Sequence, residues 1–81
     1  MIRLIRKETE KNLARFYLIQ IVPGLFGNWG LMREWGRIGK SGTNRTDWFN
    51  DKPSAHKAAE ELLENKFHRG YRYAPGSSDE A

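Results

Sequence analysis

The strongest pattern in the chain is the run from Arg15 to Val22, Arg-Phe-Tyr-Leu-Ile-Gln-Ile-Val, where β-branched and aromatic residues fill both phases of a two-residue period. A run apolar on both faces reads as a strand, and a central one. Pro23-Gly24 ends it and opens a turn that runs through Gly27. Asn28 to Ile38 predicts the next strand. Period two puts Trp29, Leu31, Arg33, Trp35 and Arg37 on one face, and Gly30, Met32, Glu34, Gly36 and Ile38 on the other. The first set is unusual because aromatic and cationic groups share one surface. Before these, Met1 to Lys7 alternates weakly and reads as a short edge strand, with Glu8 to Asn12 as a turn. After them, Gly39-Lys40-Ser41-Gly42 is a β-turn and Asn44 to Asn50 a further strand, with Trp48 and Phe49 in opposite phase. Trp29 and Trp48 are expected to pack.

The period then changes. Asp51 is placed to cap a helix with Pro53 in its first turn. Ala55, Ala58, Ala59, Leu62, Leu63 and Phe67 follow at spacings that make one apolar helix face. Lys66, His68 and Arg69 suit the negative end of the helix dipole, and Gly70 suits the residue after its cap. The predicted order is β-β-β-β-α. This is an α+β fold, a small antiparallel sheet of about four strands covered on one face by a C-terminal helix. Gly36 would leave room for that helix to approach, so the Trp35 face is expected to be left to solvent or a partner. Residues 1–73 form the expected domain, and the polar, Gly/Ser/acidic stretch 74–81 is expected to be a disordered tail.

Composition narrows the chemistry. With 81 residues there is room for one domain with a thin core. The absence of cysteine removes a disulfide framework, a thiolate nucleophile and any cysteine-based zinc site, and fits a reducing cytoplasm. His56 and His68 lie far apart in sequence, and Glu60, Glu61 and Glu64 read as a solvated helix face. No metal, cofactor or catalytic set is therefore expected, and the chain reads as a non-enzyme. No apolar stretch is continuous enough for a signal or a membrane span, so a cytoplasmic location is expected. The net charge is +4, unevenly spread. Residues 1–45 hold nine basic and three acidic side chains, and residues 46–81 hold five basic and seven acidic ones. A positive field in one half points to a polyanion, of which nucleic acid is the commonest.

Trp35-Gly36-Arg37-Ile38-Gly39 stands at the centre of this basic half. The segment resembles the signature of the WGR domain family. Arg15 to Gln20 resembles the family's second-strand pattern, and Ser54 to Tyr71, closing on Lys66, Gly70 and Tyr71, resembles its terminal helix. Three blocks in the right order make the resemblance specific over residues 13–73. It extends to short bacterial WGR proteins and to the DNA-damage-sensing poly(ADP-ribose) polymerases. The resemblance implies binding of nucleic acid, double-stranded DNA ends or breaks above all. Trp35 would stack at the end and Arg37 would anchor phosphate. Arg33 and Arg15 would extend the phosphate-contacting surface, with Lys40 and Tyr71 completing the candidate site. The sequence departs from the polymerases at Asn12-Leu13-Ala14, where they place a DNA-contacting polar residue. These 81 residues also hold no transferase domain, helical regulatory domain or zinc finger, so an interdomain role for Arg37 is not carried over.

Plainer readings compete. A tryptophan on a strand of a small protein usually packs, although Arg33 and Arg37 beside it argue against full burial of Trp35. Arg37 can pair with Glu34 or Asp47, which stabilises little. The alternative function is a protein-interaction adaptor that docks a partner through the exposed sheet face.

Overall fold

A computed structural model describes residues 1–76 of the chain. Its elements are β1 (Ile2–Glu8), a single 3₁₀ turn (Thr9–Lys11), β2 (Leu13–Pro23), β3 (Trp29–Arg37), β4 (Thr43–Phe49), α1 (Lys52–His68) and β5 (Arg72–Tyr73). The sheet is antiparallel throughout, in the order β4-β3-β2-β1-β5. The Arg15–Val22 run is indeed central. The four-strand expectation needs correction, because two residues after the helix add a fifth strand along Leu4 and Ile5. β1 is thereby flanked on both sides over that stretch and is not a bare edge. Arg72-Tyr73 is too short for a periodicity to reveal. Ala74 is buried and donates its N–H to the carbonyl of Arg3 at 2.9 Å. The part of the expected tail from residue 77 onward lies outside the described residues.

The helix forms where the sequence predicts it. The Asp51 carboxylate accepts the N–H of Ser54 at 2.8 Å, satisfying one of the first-turn donors that an α-helix leaves unpaired. The Ser54 side chain, and then this backbone N–H, hold the Asp51 carboxyl below the usual aspartate range. At the other end the Gly70 N–H bonds the Phe67 carbonyl and the Tyr71 N–H bonds the Lys66 carbonyl, both at 3.0 Å. This is a Schellman closure, and Gly70 takes the positive φ of 94° that it demands.

The helix buries Ala55 and Ala59, one turn apart, whose small side chains let its backbone lie close to the sheet. Ala59 joins Leu4, Tyr17, Ile19, Leu31 and Tyr71 in the buried core. Ile2, Ile21, Trp35, Phe49, Leu62, Leu63 and Phe67 pack around it. The helix thus covers the face that carries Leu31 and Trp35, not the opposite one. The room beside Gly36 is filled differently from expectation. A side chain there would meet the Gly42 Cα at 3.1 Å and the Phe16 ring at 3.5 Å. Phe16 is buried on the far face, under the glycines of β3 and the β3–β4 turn.

Candidate nucleic-acid interface

Register decides which side chains meet. On the helix-covered face Ile21 and Leu31 lie opposite one another, and so do Trp29 and Phe49. The next row joins Ile2, Ile19, Arg33 and Arg45, and the one after it Leu4, Tyr17, Trp35 and Thr43. The last row sets Arg6 opposite Arg15 and Arg15 opposite Arg37. The surface therefore grades from apolar to cationic along the strands. The helix lies on the apolar rows and stops at His68. Beyond its end a groove of about 560 Å³ is left, lined by Leu13, Arg6, Arg15, Arg33, Arg45, Lys66 and Arg69 and by the rings of Tyr17, Trp35 and Tyr71.

The rings form a connected wall. Tyr17 and Trp35 stack with centroids 5.7 Å apart, and Tyr71 meets Tyr17 edge-on at 6.2 Å. Lys66 hangs its ammonium 4.4 Å from the Tyr17 ring and 5.7 Å from that of Tyr71. Desolvation by these neighbours, reinforced by Arg69 and Arg33, lowers the Lys66 pKa from the usual lysine value.

Two carboxylates hold part of the cationic set in place. Asp47 accepts from Arg33 on one oxygen and from Arg45 on the other, each at 3.0 Å. Arg33 is also 5.9 Å from the Trp35 ring, and its Nε is buried with no acceptor among the described residues. Glu8 pairs with Arg6 at 2.6 Å and more loosely with Lys11, and the Arg6 hydrogen bond lowers the Glu8 pKa. Arg15, Lys66 and Arg69 enter no ion pair among the described residues.

The sequence-predicted residues divide. Arg15, Arg33, Trp35 and Tyr71 come together in the groove. Arg37 and Lys40 do not line it. Arg37 continues the arginine row past Arg15 and donates to the backbone and side-chain oxygens of Asn12 at 3.3 and 3.4 Å, pairing with neither Glu34 nor Asp47. Asn12 holds the left-handed conformation, φ 49°, that turns the chain into β2. Lys40 sits exposed in the turn closed by its N–H to the Arg37 carbonyl. Sequence reasoning missed Arg6, Arg45, Tyr17, Lys66 and Arg69 as site residues. Strand register, with Arg6 opposite Arg15 and Arg45 opposite Arg33, was the signal that would have found two of them.

The rest of the surface differs in character. A second hollow, about 300 Å³ between the helix and the other end of the sheet, includes Trp29, Lys52, His56 and Glu60 in its lining but no arginine. Lys52 lies 5.0 Å over the Trp29 ring. The uncovered face carries Met32 and Trp48, and Trp48 is 55% exposed, so its expected packing role is only partial. Leu25 and Phe26, at the β2–β3 turn, are 93% and 89% exposed. No helix among the described residues is long and apolar enough to cross a membrane. Among them, too, no three His, Asp or Glu side chains group as a metal site would need.

The WGR domain family matches residues 1–78. A protein of Sinorhizobium fredii (strain NBRC 101917 / NGR234), named uncharacterized protein y4dW, is 40% identical over 70 residues. That alignment takes in 86% of this chain and 34% of the relative, so the chain spans about a third of the relative's length.

Proposed function

This chain belongs to the WGR domain family, and from that premise we propose that it is a binding module for nucleic acid, with DNA ends or breaks as its preferred target. The observation that carries the reading is the convergence of Arg6, Arg15, Arg33, Arg45, Lys66 and Arg69 with Tyr17, Trp35 and Tyr71 around one groove. Guanidinium groups grip phosphate through paired N–H donors, and lysine adds a point charge. Aromatic faces offer a platform for a terminal sugar or base without demanding a sequence. Trp35 takes the stacking role, held from behind by Tyr17. Arg15, Lys66 and Arg69 are the cations most available to phosphate, because no carboxylate among the described residues pairs with them. Arg37 and Lys40 act at the rim, where a duplex continues past the groove. The module acts by binding and carries out no reaction.

The test is a salt-titrated comparison of blunt duplex, nicked duplex, single strand and closed circle. The logarithm of the binding constant should fall with that of salt, by about 0.9 per neutralised phosphate on duplex DNA. Blunt or nicked duplex should bind more tightly than the circle. Equal affinity for the circle would remove the preference for ends, and salt-independent binding would remove the groove.

One observation favours a second reading, a protein-interaction adaptor. Trp48, Met32, Leu25 and Phe26 put exposed apolar surface on parts of the fold that the cationic groove does not use. Capture of a protein after nuclease treatment, with no nucleic-acid binding at low salt, would favour it.

A further inference from the structure

We infer that β4 is a self-association edge, where two copies of this chain pair antiparallel about a two-fold axis at Thr46 and join their five-stranded sheets into one of ten. The sheet has two edges. One is finished by the two residues of β5. The other is β4, seven residues long, in unbroken register with β3 and with most of its side chains exposed. It has no proline, lysine or bulge, and the only charges it sets against a pairing strand are Arg45 and Asp47.

What it has is a charge pattern that suits a second copy of itself in one register. Its sequence reads Thr43-Asn44-Arg45-Thr46-Asp47-Trp48-Phe49. A two-fold axis normal to the sheet keeps each copy's helix on the same side, so only residues of like phase can face one another. Centred on Arg45, the strands would set arginine against arginine. Centred on Asp47, they would set aspartate against aspartate. Centred on Thr46, Arg45 of each copy faces Asp47 of the other, twice over. The same register puts Asn44 opposite Trp48 and Thr43 opposite Phe49, so the half-exposed indole gains a neighbour.

The pairing also suits the charges already present. Within one copy Arg45 lies directly opposite Arg33, a like-charge pair held by the single carboxylate of Asp47. Like charges directly opposite one another destabilise a sheet. A second copy brings its own Asp47 to Arg45. Because Arg45 also lines the cationic groove, the two grooves would flank the axis on one face. The inference does not depend on what the groove binds, and its test uses no nucleic acid.

Sedimentation equilibrium of the full chain, from micromolar to millimolar, should show a monomer–dimer equilibrium. R45D and D47R each place like charges opposite one another and should weaken self-association by about tenfold. An equimolar mixture of the two restores opposite charges and should recover the dimer. T46K sets two ammonium groups together at the axis without touching the Arg33–Asp47 pair, and should also weaken the dimer. It serves if circular dichroism shows D47R to be unfolded. Monomer throughout the range would overturn the inference. So would a dimer that R45D and T46K leave unchanged, which would move association to the face bearing Trp48 and Met32. Failure of two folded charge variants to recover on mixing would overturn the register.

Discussion

Tyr17 and Trp35 lie directly opposite one another across β2 and β3, with their rings stacked at 5.7 Å and 13° from parallel. Tyr17 is core, and Trp35 is the point where that core becomes the wall of the groove. Packing and recognition are therefore not alternatives for this tryptophan. Trp35→Ala should lower stability by about 2 kcal/mol, less than a fully buried indole would lose. Trp35→Phe, which keeps a ring against Tyr17, should recover most of that. On a short duplex, in conditions where both variants are folded, Trp35→Ala should weaken binding by about tenfold through lost stacking. Urea melts and fluorescence titrations read the two effects separately. A folded alanine variant that binds like the parent would remove Trp35 from the interface.

The groove cations that meet no carboxylate among the described residues should set the salt dependence. Arg15→Ala and Arg69→Ala should each reduce the slope of log affinity against log salt by about 1, the signature of one phosphate contact. Lys40→Ala, at the exposed turn, should reduce it less. Slopes that respond to Lys40 and ignore Arg15 would place the polyanion on the hairpin tip instead.

Lys66 gives the interface a pH dependence. Its ammonium is desolvated against Tyr17 and Tyr71 and faces Arg69 and Arg33, so its folded pKa lies below the unfolded value. Between those two values the unfolded chain binds more protons, so the Lys66 contribution to stability rises as pH rises through that window. Binding has the opposite sign. A polyanion favours charged Lys66, so affinity should fall as pH rises through its lowered pKa, with proton uptake on binding. Lys66→Arg should remove this alkaline fall while keeping the affinity near neutral pH. Calorimetry in two buffers of different ionisation enthalpy measures the uptake. Equal pH profiles for the parent and Lys66→Arg would assign the proton elsewhere.

Much of this was legible in the residues because local chemistry agreed with the global fold. A β-branched and aromatic run located β2, period two phased β3, and Asp51 and Gly70 marked the helix ends because capping is a local event. The phase of β3 likewise grouped Arg33, Trp35 and Arg37 correctly. Which face the helix covers was not legible, since the apolar positions Leu31 and Phe16 lie on opposite faces and either could have drawn it. The outcome follows from Leu4, Tyr17, Ile19 and Leu31 meeting on one side, a fact of register across three strands. For the same reason Lys66 and Arg69, read as charges at a helix end, could not be seen to share a groove with Arg15, some fifty residues earlier.

Gly42 is the glycine on which the β3–β4 turn depends most for space. A Cβ there would lie 2.7 Å from the Trp35 carbonyl oxygen, 2.8 Å from the Phe16 ring and 3.0 Å from the Glu34 side chain. The nearest of these is backbone in a paired strand, so it gives way only if the strand itself shifts. At Gly36 the nearest approach is 3.1 Å, to the Cα of Gly42 itself, and the turn can yield by a few tenths of an ångström. Gly42→Ala should therefore destabilise the fold by about 1–3 kcal/mol, the range for overpacking, and Gly36→Ala by less. Shrinking the ring with Phe16→Leu should not rescue Gly42→Ala, because the carbonyl contact remains. The displaced carbonyl belongs to Trp35, so the stacked indole should move with it and duplex binding should weaken even in the folded variant. Urea midpoints at constant m-value, alongside affinity at low temperature, test the order. A Gly42→Ala variant as stable as the parent would show that the turn repacks freely and does not fix Trp35.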